Sequence, residues 1–147
     1  MTPDQQRSRE KVRRYVHREQ LASVMNDTKW QELVDAMRAI ADGTPMHRIK
    51  DVLGPDPDNE PRDGEWYYHL WPYYSIEWID INPICWKPFG PQVDQTGAIV
   101  SALRERNIPF SIEGRYIRVW GYTRPGATVH FANTTGNEQP QSAPSAD

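Results

Sequence analysis

Residues 75–81, SIEWIDI, constrain the fold of this chain more than any other segment. In an extended strand Ile76 and Trp78 share one face. Ile79 and Ile81 lie on the other face. A strand that is apolar on both faces must be covered on both, so it belongs in the middle of a sheet. The segment therefore predicts a central strand.

Two segments have the periodicity of amphipathic helices. Apolar side chains recur at helical spacing over residues 28–42, with Thr28 as the expected N-cap and Asn26 and Asp27 as competing caps. The same spacing over residues 94–106 predicts a second helix. We expect both helices to cover one face of the sheet.

Residues 108–122, IPFSIEGRYIRVWGY, are typical of a β-hairpin. The turn is expected at Glu113 and Gly114, because glycine readily takes the positive φ that a two-residue turn requires. One side of this hairpin is apolar, and the other mixes aromatic and charged groups. The apolar side has Phe110, Ile112, Ile117 and Val119, and the opposite side has Ser111, Glu113, Tyr116, Arg118 and Trp120.

The stretch GEWYYHLWPYYSIEW, residues 64–78, is rich in Trp and Tyr. It predicts another strand that ends before Pro72, because proline lacks the N–H of a strand ladder. In that strand Glu65, Tyr67 and His69 would share one face.

The order of predicted elements indicates an α+β fold in a single domain. Because short turns join neighbouring strands, we expect an antiparallel or mixed sheet of four to five strands packed with two to three helices. The core domain is expected over residues 21–122, after a basic helical arm at 1–20 that continues towards Met25. Residues 123–147 form an extension, which we expect to be disordered from about residue 133 for lack of apolar side chains.

The charge and the cysteine content indicate which partners and which cellular compartment to expect. The net charge is −3, yet residues 1–20 hold six Arg or Lys against three Asp or Glu, so the rest of the chain is acidic. An acidic body attracts cationic partners and repels nucleic acid, although a nucleic-acid adaptor working through the basic helix stays open. Cys85 is the only cysteine, and the sequence shows neither a signal peptide nor a long apolar run. We expect a cytoplasmic protein that does not enter a membrane.

No segment carries a recognisable catalytic constellation. His69 is the best candidate base, and the strand register decides whether a cross-strand carboxylate such as Glu77 approaches it. His17, His47 and His130 lie in three separate segments, without the spacing of metal ligands. We therefore predict no metal and no cofactor, while a small hydrolase or ligand-binding domain with a pocket around His69 stays open as an alternative.

Aromatic residues in excess of what the sheet's core needs are the main functional signal. Tyr, Trp and Arg are enriched at the energetic centres of protein interfaces. We expect a non-catalytic protein-binding module of the kind in which an immunity or inhibitor protein masks its partner, such as a basic toxin. In the alternative, the first helix covers this face and makes it a second core layer. The expected partner-binding residues are Glu65, Tyr67, His69, Tyr116, Arg118 and Trp120.

Four segments, MNDTKW, GEWYYHL, YSIEWIDI and GRYIRVWGY, carry a family resemblance. Through them the chain resembles a family of small, uncharacterised bacterial cytosolic proteins that is classed as a domain of unknown function. The resemblance spans roughly residues 20–122 and implies no functional residues. In size, acidity and α+β build the chain is also similar in type to bacterial immunity proteins.

Overall fold

The computed structural model describes residues 2–41, 43–67, 72–85 and 90–132. The tail predicted to be disordered from residue 133 lies outside these ranges. The helices within them are α1 (Pro3–Arg18), α2 (Asp27–Arg38) and α3 (Thr96–Glu105). The strands are β1 (Ala22–Ser23), β2 (Met46–Asp51), β3 (Ile76–Asn82), β4 (Ile84–Cys85), β5 (Val93–Asp94), β6 (Phe110–Glu113), β7 (Tyr116–Trp120) and β8 (Tyr122–Thr123).

A four-stranded antiparallel sheet lies at the centre of the fold. Its strand order is β2–β3–β7–β6, so β3 has a neighbour on each side. Every β3 residue from Ile76 to Ile81 is buried, as the sequence predicted for a central strand. Two short pairs, β1 with β8 and β4 with β5, lie outside this sheet. The predicted α+β class is confirmed.

Helices α2 and α3 cover one face of the sheet, the inner face, as the sequence predicted. Their apolar stripes pack with the inward side chains of β3, β6 and β7 in one core cluster. Burying each such side chain contributes about 1.5–3 kcal/mol to folding. The fully buried members of this cluster include Leu33, Met37, Ile79, Ile99, Leu103, Phe110 and Val119.

Two helix ends differ from the sequence prediction. Asn26, rather than Thr28, caps α2, and its side chain accepts a hydrogen bond from the Lys29 backbone N–H at 2.8 Å. Thr28 already lies inside the helix. The first helix ends at Arg18, short of the predicted boundary, because Gln20 adopts a positive φ of 57° that does not continue a right-handed helix.

A β-bulge in β3 places Ile76 and Trp78 on opposite faces, so the prediction that they share a face is wrong. Lys50 pairs with Trp78, while the next residue of β2, Asp51, pairs with Ile76. Glu77 is therefore the extra residue, and a bulge of this kind re-aims the side chains around it. Ile76 joins the inner core. Glu77 instead reaches Lys50 on the opposite face.

The β6–β7 hairpin turns one residue later than predicted. Gly114 and Arg115 form the turn, with Gly114 at a φ of 61°. Primed hairpin turns need a positive φ at their first central residue, which puts the glycine there. Ile112 therefore pairs with Ile117 and not with Arg115. The pairing moves by an even number of positions, so each side chain keeps its predicted side of the sheet.

The strand predicted at residues 65–70 is wrong for the part that the structure describes, residues 65–67. Asp63 forms a single bridge with His47 at the edge of β2, and the chain then leaves the sheet. Trp66 turns into the core instead of a strand face. His69 lies outside the described residues.

Gly121 follows β7 at a point where the Ile76 backbone passes directly against it. A Cβ at this position would lie 2.1 Å from the Ile76 carbonyl oxygen. We expect Gly121→Ala to lower the free energy of unfolding by about 3 kcal/mol, the upper end of overpacking costs. Gly97→Ala in α3 is the matched control, because nothing in the described residues beyond its chain neighbours and its own helix backbone lies within 4 Å of the added Cβ. The control should gain up to about 1 kcal/mol in urea denaturation, and equal losses in both variants would contradict this explanation.

Candidate functional site

The face of the sheet opposite α2 and α3, the outer face, carries a buried ion-pair cluster around Asp80. The side chain of Asp80 is fully buried in the middle of β3. Arg48 on β2 donates from Nε and Nη2 to Asp80 Oδ2, at 3.1 and 3.0 Å. Arg118 on β7 donates from Nε to Oδ1 at 2.7 Å and from Nη2 to Oδ2 at 3.1 Å. The three residues are register partners across the sheet, so strand pairing itself brings them together.

A second cluster surrounds Glu77, the bulge residue. Lys50 Nζ donates to Glu77 Oε1 at 2.8 Å. Arg124 donates from Nε to Oε2 at 2.9 Å and from Nη2 to Oε1 at 2.8 Å. Burial acts to raise the pKa of Glu77, but the hydrogen bonds from Arg124 and Lys50 outweigh it and lower that pKa. The same carboxylate raises the pKa of Arg124, so the cluster stays ionised.

Each cluster joins one carboxylate to two cations and therefore retains one net positive charge. The whole chain has a net charge of −3, so the two clusters are local positive groups on an acidic protein. The carboxylates of Asp56, on an exposed loop, and of Glu113, on the same face of β6, offset their charge. The positive charge is consequently confined to the clusters and does not extend over the whole outer face.

Trp78 and Trp120 are register partners on this face. The guanidinium carbon of Arg118 lies 3.7 Å from the centroid of the Trp78 ring and 5.4 Å from that of Trp120. Trp120 Nε1 donates to Ser111 Oγ at 2.8 Å, so the polar atom of this indole is used within the sheet. The part of the half-buried Trp120 that solvent reaches is therefore mainly apolar ring surface.

An open pocket of about 430 Å³ lies beside Trp120. Sites for small ligands commonly measure about 300–1,000 Å³, so this volume suffices for a small molecule or a partner's side chain. The walls contain the indoles of Trp78 and Trp120 and the two cations of the Glu77 cluster. This Trp120 pocket is lined by Lys50, Gly54, Pro55, Asp56, Glu77, Trp78, Trp120, Arg124 and Ala127.

Lys50 and Glu77 act as structural charges in this pocket. Lys50 Nζ donates to Glu77 and also to the carbonyl oxygens of Asp51 and Gly54, at 3.0 and 2.9 Å. These bonds use all three N–H groups of an ammonium. Neither Lys50 nor Glu77 can act as a nucleophile or base without breaking a buried ion pair. Among the described residues, no group of His, Cys, Asp and Glu is arranged to hold a metal ion.

The predicted partner-binding residues that the structure describes lie in two places. Tyr116, Arg118 and Trp120 share the outer face of β7, as predicted. Tyr116 is buried, the Arg118 side chain is 18% exposed, and Trp120 is half-buried. Glu65 and Tyr67 are exposed but lie beyond the β2 edge of the sheet, whereas β7 lies in its interior. The five predicted residues that the structure describes therefore do not share one face of the sheet.

Loop residues Asn59 and Glu60 contact the arginines that lie over Tyr116. Arg48 and Arg115 lie 4.9 and 5.4 Å from the centroid of the Tyr116 ring. Arg48 Nη1 donates to the Asn59 carbonyl oxygen, and Arg115 pairs with Glu60. This end of the outer face is therefore closed by arginine side chains and a loop, and the open part is the Trp120 pocket.

The alternative that the first helix covers this face is wrong for Tyr116. α1 packs instead against the turn at Tyr73–Ser75, where Val12 shares a small cluster with Leu21 and Val52. Its link to the Trp120 pocket is a hydrogen bond of 3.2 Å from Arg124 Nη1 to Tyr15 Oη.

Sequence analysis named Arg118 and Glu77 but did not identify the other charged residues that build the site, Arg48, Lys50, Asp80 and Arg124. Arg48 and Lys50 alternate with inward-facing residues in β2, and Asp80 interrupts an otherwise apolar central strand. A carboxylate inside such a strand must find cations on its neighbours, because an unpaired buried charge is strongly unfavourable. That requirement was the signal available in the sequence.

His47 lies on the inner side of β2, where it pairs with Ile81. Its ring centroid is 4.3 Å from that of Trp66, and its Nδ1 has no hydrogen-bond partner among the described residues. Burial lowers the pKa of His47 by more than the neighbouring Asp63 raises it. His47 is therefore a neutral core histidine and not part of the candidate site.

The lowered pKa of His47 predicts a stability loss in mild acid. The contribution of His47 to the free energy of unfolding should be fully present above about pH 6.5, the ordinary histidine pKa. It should decrease below that pH, because the unfolded chain then binds a proton that folded His47 resists. Urea unfolding at several pH values measures this. His47→Leu should flatten the dependence between about pH 5 and 6.5. His17→Gln, at an exposed position of α1, is the control and should keep the pH dependence of the unfolding free energy. A slope that survives in His47→Leu would contradict the assignment.

The Asp80 cluster predicts a large cost for losing its one negative charge. Asp80→Asn keeps the side-chain shape but leaves Arg48 and Arg118 without their carboxylate. We expect a loss of about 3–5 kcal/mol in the free energy of unfolding, as for other broken buried ion pairs. Glu60→Gln removes the partner of Arg115 from an exposed pair and should cost less than about 1 kcal/mol. Similar losses of unfolding free energy in the two variants would show that burial of the ion pair does not set its cost.

Comparison with known proteins identifies the family. Within the described residues, no helix combines the length and the apolar character needed to cross a membrane. No curated protein and no solved structure matches the chain. A family model matches residues 12–126, from within α1 to just beyond β8. The predicted resemblance to a domain of unknown function is thus confirmed, and the chain belongs to the family of unknown function DUF6678.

Proposed function

We propose that this chain is a non-catalytic binding protein and that the outer face, at the Trp120 pocket, receives a protein partner. One observation carries the proposal: each buried carboxylate on this face is shared by two cations, and the cation Arg124 lies beside the half-buried indole of Trp120 in an open pocket. Arginine and tryptophan are the residues most enriched among interface hot spots.

The accessible cation of the pocket favours a partner that presents a carboxylate. The Arg124 side chain is 35% exposed, whereas Lys50 and Glu77 are buried, so Arg124 is the charge of the cluster that a partner reaches and attracts an acidic group there. The predicted basic toxin would instead be attracted by the acidic remainder of the chain. That partner, and the cytoplasmic location, stay predictions.

The cations of this face are held in place before any partner arrives. Arg118 and Arg124 each donate two hydrogen bonds to a buried carboxylate, and Arg118 also stacks on Trp78. Ordering a free arginine side chain on binding costs about 0.5–1.5 kcal/mol, and a side chain fixed beforehand avoids most of that cost. This rigidity supports a binding role. An immunity or inhibitor protein that masks a partner is the more specific form of the proposal.

Nucleic-acid binding through the first helix has less support. Arg7 and Arg18 pair with Asp4 and Glu19, and Glu10 pairs with two further arginines of α1. The acids of the helix thus offset much of the positive potential that a phosphate backbone would need.

Site-directed photo-crosslinking tests the proposal in the source cells. A benzophenone amino acid at Ala127, an exposed lining position of the Trp120 pocket, should crosslink to one discrete protein. The same group at Gln31, exposed on α2, is the matched control and should not. No discrete product from Ala127, or the same product from Gln31, would overturn the proposal.

The purified partner then provides a quantitative test. Trp120→Leu should weaken its binding at least tenfold, which is about 1.4 kcal/mol, because the hot-spot ring is lost. Arg115→Gln changes a charge on the same side of the sheet away from the pocket and should alter the affinity less than about twofold. An affinity that Trp120→Leu leaves unchanged would place the interface elsewhere and refute the proposal.

A further inference from the structure

Arg124 has hydrogen-bond donors to spare at the wall of the Trp120 pocket. Its Nε and one N–H of Nη2 bind Glu77, and one N–H of Nη1 binds Tyr15. Each Nη of a guanidinium carries two N–H groups. The contacts among described residues therefore leave one N–H on Nη1 and one on Nη2. The side chain is 35% exposed, so a ligand can reach it.

These two remaining groups suit an oxyanion. Hydrogen bonds from a guanidinium N–H to a carboxylate are charge-assisted and among the strongest in proteins. Glu77 holds the Nε–Nη2 edge of the Arg124 guanidinium, and Tyr15 on α1 holds Nη1. The donors are therefore oriented before a ligand binds.

The indole surface of the same pocket suits a flat apolar group. Trp120 is half-buried beside the buried Trp78, and aromatic rings that pack offset or edge-on gain about 0.5–1.5 kcal/mol beyond the area that they bury. The volume of about 430 Å³ has room for a ring together with its carboxylate.

We infer that the Trp120 pocket binds a carboxylate attached to an aromatic ring, as found in an aromatic residue at the C-terminus of a partner chain. The carboxylate accepts hydrogen bonds from the free N–H groups of Arg124, and the ring packs on Trp120. Asp56 on the exposed loop opposes this binding by like charge. The inference rests on the proposed function for the source of the group, but the pocket can be tested without the partner.

Titration with N-acetyl-phenylalanine and its uncharged amide tests the inference. The two probes share one ring and differ in the carboxylate. Following the Trp120 indole N–H signal by NMR, we expect the acid to bind at least tenfold more tightly than the amide. Equal binding of the two, or tighter binding of the amide, would overturn the inference.

Single substitutions test which side chains determine binding of the acid. Arg124→Gln should weaken binding of the acid at least tenfold, and Arg115→Gln should change it less than twofold. Asp56→Asn should strengthen it about twofold, because a like charge is removed. If Arg124→Gln does not fold, the Asp56→Asn result decides, and an unchanged affinity there would count against a carboxylate in this pocket.

The two proposals fail in different ways. If the acid binds no better than the amide but the Ala127 crosslink forms, the carboxylate pocket is refuted and the partner face stands. If the acid binds selectively and no crosslink forms, the pocket stands as a small-molecule site and the protein partner is refuted.

Discussion

A carboxylate buried in a central strand loses its hydration, and cations on the neighbouring strands must replace it. Asp80 meets this requirement through Arg48 and Arg118, which flank it in register. Removing a charge from water costs several kcal/mol per ion, so this arrangement depends on correct pairing. A slip of one residue in β2 or β7 would move its arginine to the inner face. The Asp80 cluster therefore requires the observed register of β2, β3 and β7.

The bulge in β3 extends the same principle to a second carboxylate. In a regular strand Glu77 would point towards the core between α2 and α3, whereas the extra residue turns it outward to Lys50 and Arg124. The close approach of Ile76 to Gly121, at which only glycine fits, accompanies this distortion. The bulge thus places Ile76 in the core and Glu77 in the wall of the Trp120 pocket.

These interactions give the outer face a character that the overall composition hides. An acidic protein carries two clusters of positive charge on this face because Glu77 and Asp80 are buried and each is shared by two cations. The aromatic excess is divided between core packing, stacking on arginine and exposed pocket wall. Trp66 serves the core, Trp78 supports Arg118, and Trp120 contributes to the wall. Side chains of the proposed binding surface therefore also stabilise the sheet.

The sequence by itself determined the elements whose pattern is periodic. The two apolar faces of SIEWIDI made β3 central, and helical spacing placed α2 and α3 over one side. The tertiary structure alone decided which charges meet. Arg124 lies 47 positions from Glu77, and Arg118 lies 38 from Asp80. The bulge and the cross-strand register bring these pairs together, and both are set by packing between distant segments, which no local pattern records.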